Sequence, residues 1–137
     1  MKFTYKEFYN RSIKSGCKPT DFTPDINNNI CTLIERLNKL GYEPSMYFSS
    51  CLRSKDKHKQ VYINKGVSED KIPWGSQHLS GEAADISDPD CAFAKWLKEN
   101  EDKLVEVGLW CEHPDHTKGW LHLQIRPPKS GNRFFIP

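Results

Sequence analysis

The stretch from Thr23 to Gly41 sets the strongest constraint on the fold. Ile26, Ile30, Leu33, Ile34, Leu37 and Leu40 recur at helical spacing and make one apolar stripe. Thr23 stands before Pro24 as an N-cap ahead of a first-turn proline, and Gly41 supplies the stop. Such a helix is stable only when its stripe is covered, so the rest of the chain has to provide an apolar surface. A segment with the other period can provide it. In Trp120–Ile125 the side chains alternate: Leu121, Leu123 and Ile125 share one face, and Trp120, His122 and Gln124 share the other. The apolar face goes to the core, so His122 points into a polar concavity.

The remaining elements are short. A T-x-x-E capping box at Thr4–Glu7 predicts a helix anchored by Phe8 and Ile13. Residues 15–23 read as a loop and 45–51 as a strand. Ser54 caps a helix over 55–64 that Gly66 ends. Residues 66–77 are loop, and Ala83–Ile86 is a short strand. Asp88-Pro89 opens a helix through Phe93, Trp96 and Leu97, and Leu104–Val107 adds a helical turn. Leu109–Cys111 is a strand, followed by a polar loop over 112–119. The tail, 127–137, is rich in Pro and Gly, with an apolar end at Phe134–Ile136. This irregular alternation predicts one α+β domain over 1–137, an antiparallel sheet with helices beside it. A length of 137 residues suits one domain and can bury a core without staples. The 7 Phe, 5 Tyr and 4 Trp argue against a disordered chain.

Charge excludes some partners. Lys and Arg number 20 against 18 Asp and Glu, a formal charge of +2, which gives no electrostatic case for nucleic acid. The run Lys55–Lys59 contains an Asp and predicts a solvated helix face. No apolar run approaches the roughly 18 residues of a membrane span. The first residues have no apolar core of a signal peptide, so synthesis in the cytoplasm is expected. The five cysteines are odd in number and lack C-x-x-C spacing, and they read as buried reduced thiols.

His78 lies seven residues before Asp85, and His122 is the third polar residue of interest. Two imidazoles and one carboxylate suit a catalytic zinc with one open position. Spacing alone also fits ordinary hydrogen-bonding side chains. Gly81, Ala83 and Ala84 are small and let backbones pack closely beside such a site.

The surrounding residues carry a resemblance. Ser76-Gln-His-Leu-Ser-Gly-Glu-Ala-Ala-Asp85 resembles the S-x-H-x-x-G-x-A-x-D segment of the D-Ala-D-Ala carboxypeptidase family of zinc peptidases. Trp120-Leu121-His122 resembles that family's second segment. Lys6-Glu7-Phe8, the long helix, and Ser49–Ser54 before a helix with Gln60 and Tyr62 are similar to its small, phage-type members, so the resemblance spans essentially the whole chain. It implies one zinc ion held by His78, Asp85 and His122. It implies that Arg53 binds a substrate carboxylate, which a bidentate guanidinium suits; a surface or helix-capping arginine is the alternative. Ser76 would touch substrate or serve as a turn serine.

The activity implied is hydrolysis of peptide bonds in bacterial peptidoglycan stem peptides, by a D,D-carboxypeptidase or an endolysin-type endopeptidase. Such an enzyme acts on the cell wall after release or as part of a virion. One departure stands out. Many members carry Glu three residues before the last ligand, where this chain has Gly119. Proton transfer would then fall to Glu112 or His116. The same departure leaves open a catalytically inactive, zinc-stabilised structural or binding module of a phage particle. Which bond is cut and the oligomeric state are not fixed by the sequence.

Overall fold

A computed structural model describes residues 2–137. In chain order it contains α1 (Tyr5–Lys14), α2 (Pro24–Lys39), β1 (Phe48–Ser50), α3 (Lys55–Asn64), β2 (Ala83–Ser87), α4 (Ala92–Glu99), α5 (Glu101–Val107), β3 (Trp110–Glu112), β4 (Trp120–Gln124) and β5 (Phe134–Phe135). Short 3-10 turns occupy Pro19–Asp21, Glu69–Lys71 and Pro114–His116 within the segments read as loops. The class is α+β, as the sequence predicts.

The stripe of α2 organises the interior. Thr23 accepts a hydrogen bond from the Ile26 amide and starts the helix. Ile30, Leu33 and Leu37 lose all contact with solvent and join Ala84, Ile86, Leu121 and Leu123 of the sheet in one core. The capping box at α1 forms: the Thr4 hydroxyl accepts from the Glu7 amide and donates to the Glu7 carboxylate. Arg36 crosses from α2 to donate to the carbonyls of Gly108 and Ile125, fixing the helix over the sheet.

The sheet has strand order β1-β2-β4-β3-β5. Its first three pairings are antiparallel, and β3 with β5 is parallel. The predicted all-antiparallel sheet is therefore mixed. The extra strand is the apolar end of the tail, too short to show a period of its own. It pairs because the outer edge of β3 offers amides: Cys111 donates to the Arg133 carbonyl and His113 to that of Phe135.

Several local readings shift. β1 is shorter than 45–51 and carries a bulge between Phe48 and Ser50. α4 begins at Ala92, not at Asp88. The Asp88 carboxylate caps it from upstream, accepting from the amides of Phe93 and Ala94. Cys91, at φ 60, makes the intervening turn. The Lys55–Lys59 face is not wholly solvated, since His58 is 0% exposed. Cys17, Cys51 and Cys111 are buried, as expected of core thiols, whereas Cys31 and Cys91 are exposed. Among the described residues no helix is long and apolar enough to cross a membrane.

Gly81 shows how closely α2 approaches the turn before β2. Its φ is +76, and a Cβ there would lie 2.9 Å from Ile30 Cγ1 and 3.1 Å from the Ile26 carbonyl oxygen. Gly131 has a similar φ of +72 but open space around it. Gly131→Ala should therefore cost only the left-handed penalty, about 1–2 kcal/mol. Gly81→Ala should cost more, up to about 3 kcal/mol, because clash adds to strain. Urea unfolding of the two variants checks this; equal losses would mean that α2 does not pack tightly on the turn.

Candidate metal centre

The centre begins as one cross-strand pair. In the antiparallel register of β2 and β4, Asp85 stands directly opposite His122. Leu121 and Leu123 go to the core with no exposure, so His122 faces the other way. The Asp85 Oδ1 atom lies 3.0 Å from His122 Nδ1. His78 arrives from the turn before β2, and its Nε2 lies 3.2 Å from the same oxygen. The two imidazole rings meet nearly edge to face, with centroids 5.1 Å apart. Donor atoms of the three residues lie within 4.8 Å of one another, so the group could hold a metal ion.

Two carbonyl-type acceptors fix which ring nitrogens are free. His78 Nδ1 lies 2.9 Å from the Cys51 carbonyl oxygen, which can only accept, so Nδ1 carries the proton and Nε2 a lone pair. On the other ring, Nε2 lies 2.7 Å from the Gln124 side-chain oxygen. That amide is oriented, because Gln124 Nε2 donates to the Arg126 carbonyl at 2.8 Å. His122 therefore donates from Nε2 and turns the Nδ1 lone pair to Asp85. Two nitrogen lone pairs and a carboxylate oxygen converge, and only a proton or a cation between them makes that arrangement attractive. Such partners orient ligands in metal sites generally.

The electrostatics carry the same sign. Burial raises the Asp85 carboxyl, but His122 and His78, which donate to it and carry charge when protonated, outweigh burial and hold its pKa at about 2. Burial pushes the His122 ring down, and the bond and charge of Asp85, with the Gln124 bond, more than offset this and raise it. The pull on a proton here is the pull that a metal ion would feel, and a metal would displace that proton.

The neighbouring strands extend the row. Ser50 of β1 pairs with Asp85, and Glu112 of β3 pairs with Phe135 of β5. Trp110 and Cys111 oppose Gln124 and Leu123, so continuing that register sets Glu112 opposite His122. Ser50, Asp85, His122, Glu112 and Phe135 thus form one line across five strands. Glu112 is half-buried; burial raises its pKa, Asp85 adds to this, and His122, His116 and His78 oppose it. The Phe135 ring stands almost perpendicular to that of His122 at 6.1 Å.

The other predicted site residues fall around this line. His116 is exposed on the 3-10 turn over Pro114–His116, at the rim and off the row. Ser76 accepts from the His78 amide at 3.3 Å, the contact of a turn serine. Arg53 donates its backbone amide to the His78 carbonyl at 3.0 Å and lines a cavity of about 510 Å³ with Leu79 and the start of α3. Gly119, the point at which the sequence departs from the pattern it resembles, has φ +87 in the turn before β4. Any side chain there would be strained, which accounts locally for the departure.

Two residues gain roles that the sequence did not assign. Gln124 was placed on the His122 face only by alternation. His58 was hidden in a charged run, although its i,i+4 spacing to Tyr62 is a usable signal.

At a pH where both rings are neutral, nitrogen NMR should find the proton of His78 on Nδ1 and that of His122 on Nε2. The opposite tautomer in either ring would turn its lone pair away from Asp85 and dismantle the centre. Comparisons with protein families, curated proteins and solved structures give no match for this chain.

Proposed function

We propose that the chain is a zinc-dependent peptidase acting on the stem peptides of bacterial peptidoglycan, with one zinc ion at His78, Asp85 and His122. The observation that carries this reading is the convergence of three lone-pair donors, two of them imidazoles oriented by their outer hydrogen bonds. Two nitrogens and one oxygen form a three-ligand set, the usual complement of a catalytic zinc, whereas structural zinc sites are closed by four protein ligands. The resemblance of the segments around these residues to the D-Ala-D-Ala carboxypeptidase family supports the choice of reaction.

Zinc with an open position polarises a carbonyl and makes water nucleophilic near neutral pH. The protein's own residues supply the rest. Glu112 lies on the ligand row, and its raised pKa suits it to take a proton and return it to the leaving amine. His116, at the rim, is the second candidate for that role. Arg53 holds a carboxylate of the substrate, either the terminal one or that of D-Glu, beside the loop that carries His78. Phe135 screens one flank of His122 from water.

Gly119 favours a second reading, a zinc-stabilised module without turnover. Elemental analysis and mass spectrometry of digested peptidoglycan separate the two. The enzyme should take up one zinc per chain and cleave stem peptides, and His78→Ala or His122→Ala should lose both while keeping the fold. Full zinc occupancy with intact wall fragments would establish the module, and failure to take up zinc would defeat both readings.

Proton transfer has its own test. At equal zinc content, Glu112→Gln should lower kcat by about 10²–10⁴-fold, the usual worth of a general acid–base group. His116→Ala should change it only a few-fold. The reverse order would assign the role to His116.

A further inference from the structure

We infer that His58 is a positioning residue that holds the Arg53 guanidinium in its carboxylate-binding orientation; this rests on the role proposed above for Arg53. His58 lies in the first turns of α3 and is 0% exposed. Its Nε2 lies 2.7 Å from the Pro73 carbonyl oxygen. A carbonyl only accepts, so Nε2 carries the proton, and the neutral ring keeps a lone pair on Nδ1. That lone pair meets Arg53 Nη1 at 3.3 Å. Arginine has donors only, so the guanidinium donates to the imidazole.

The ring is packed between two aromatic neighbours. Tyr62 lies 4.8 Å away on the same helix, and Trp74 lies 5.2 Å away across the loop. Arg53 is thus fixed at both ends, through its amide on the His78 carbonyl and through Nη1 on His58. The ion pairs formed among the described residues do not include Arg53. An uncharged acceptor orients the guanidinium without neutralising it, leaving the charge and the remaining N–H groups for a ligand. A carboxylate in the place of His58 would orient the group equally well but would satisfy it. Holding a long side chain in advance lowers the ordering cost of binding.

Three variants and one spectrum test this in the full-length protein. The probes are a stem pentapeptide ending in D-Ala-D-Ala and its forms amidated at either carboxylate. His58→Phe keeps a ring between Tyr62 and Trp74 but removes the acceptor. It should raise KM for the carboxylate peptide about tenfold, roughly the worth of one charged hydrogen bond, with kcat nearly unchanged. It should leave KM unaltered for the peptide whose recognised carboxylate is amidated. His58→Asn, which puts an oxygen near the place of Nδ1, should recover most of the loss. Zinc content should not change in either variant. Equal losses on both peptides, or no recovery in His58→Asn, would reduce His58 to a packing residue.

If wild type does not distinguish carboxylate from amide, or Arg53→Lys behaves as wild type, the role of Arg53 fails instead. Nitrogen-detected NMR then still decides the contact. A held Arg53 shows separately resolved Nη–H signals in wild type and in His58→Asn, and an averaged signal in His58→Phe. An averaged signal in wild type alone overturns the proposal, whether or not any variant folds.

Discussion

The register between β2 and β4 governs both the interior and the polar face of this molecule. Five consecutive pairs, from Ala83 with Gln124 to Ser87 with Trp120, lock the two central strands together. In that register Ile86, Leu121 and Leu123 enter the core, and Asp85 meets His122 on the opposite face. A slip of one residue would exchange the faces, burying His122 and exposing the leucines. The apolar burial that stabilises the sheet is therefore also what specifies the polar pair. The stripe of α2 contributes by covering the apolar face and by packing on the turn at Gly81 that follows His78.

His78 is added to that pair by backbone rather than by packing. Cys51 accepts from its ring, and Arg53 donates to its carbonyl, so the loop after β1 grips the residue on both sides. Beyond its bulge β1 keeps one last pair, Ser50 with Asp85, directly before this loop. On the far side, the side chain of Gln77 bonds the backbone of Arg126 through both its amide nitrogen and its oxygen, tying the turn of His78 to the end of β4. Each imidazole thus answers to an acceptor held by main chain, directly at Cys51 and through Gln124 and Arg126 at His122. The neutral histidine beside Arg53 follows the same logic, with Pro73 as its acceptor.

Local chemistry made much of this legible. Thr4, Thr23 and Ser54 cap helices where their hydroxyls predicted them, and the alternation of Trp120–Ile125 told the two faces of β4 apart. In the sequence the ligand trio rests on the resemblance of the segments around His78, Asp85 and His122, since spacing alone fits ordinary hydrogen-bonding side chains as well. What escaped was set by distant partners. Two residues at Phe134–Phe135 carry no period and become a strand only because β3 has a free edge. The place of Glu112 opposite His122 depends on the β3–β4 register, which no window of sequence contains. His58 sits among lysines, and its burial depends on Pro73 and Trp74 folding back over α3. Asp88 looked like the first residue of α4 because its capping partners lie five and six positions ahead.

The row from Ser50 to Phe135 gives the site a ruler made of main chain. Neighbouring strands stand about 4.8 Å apart whatever side chains they carry. The intervals separating Asp85, His122 and Glu112 are thus lattice constants of the sheet, repeated by hydrogen bonds, and owe little to the shapes of the groups themselves. A row of this kind behaves like a rack with evenly spaced slots. The chemistry in one slot can be exchanged without moving its neighbours, so the scaffold separates where reactive atoms stand from what those atoms are.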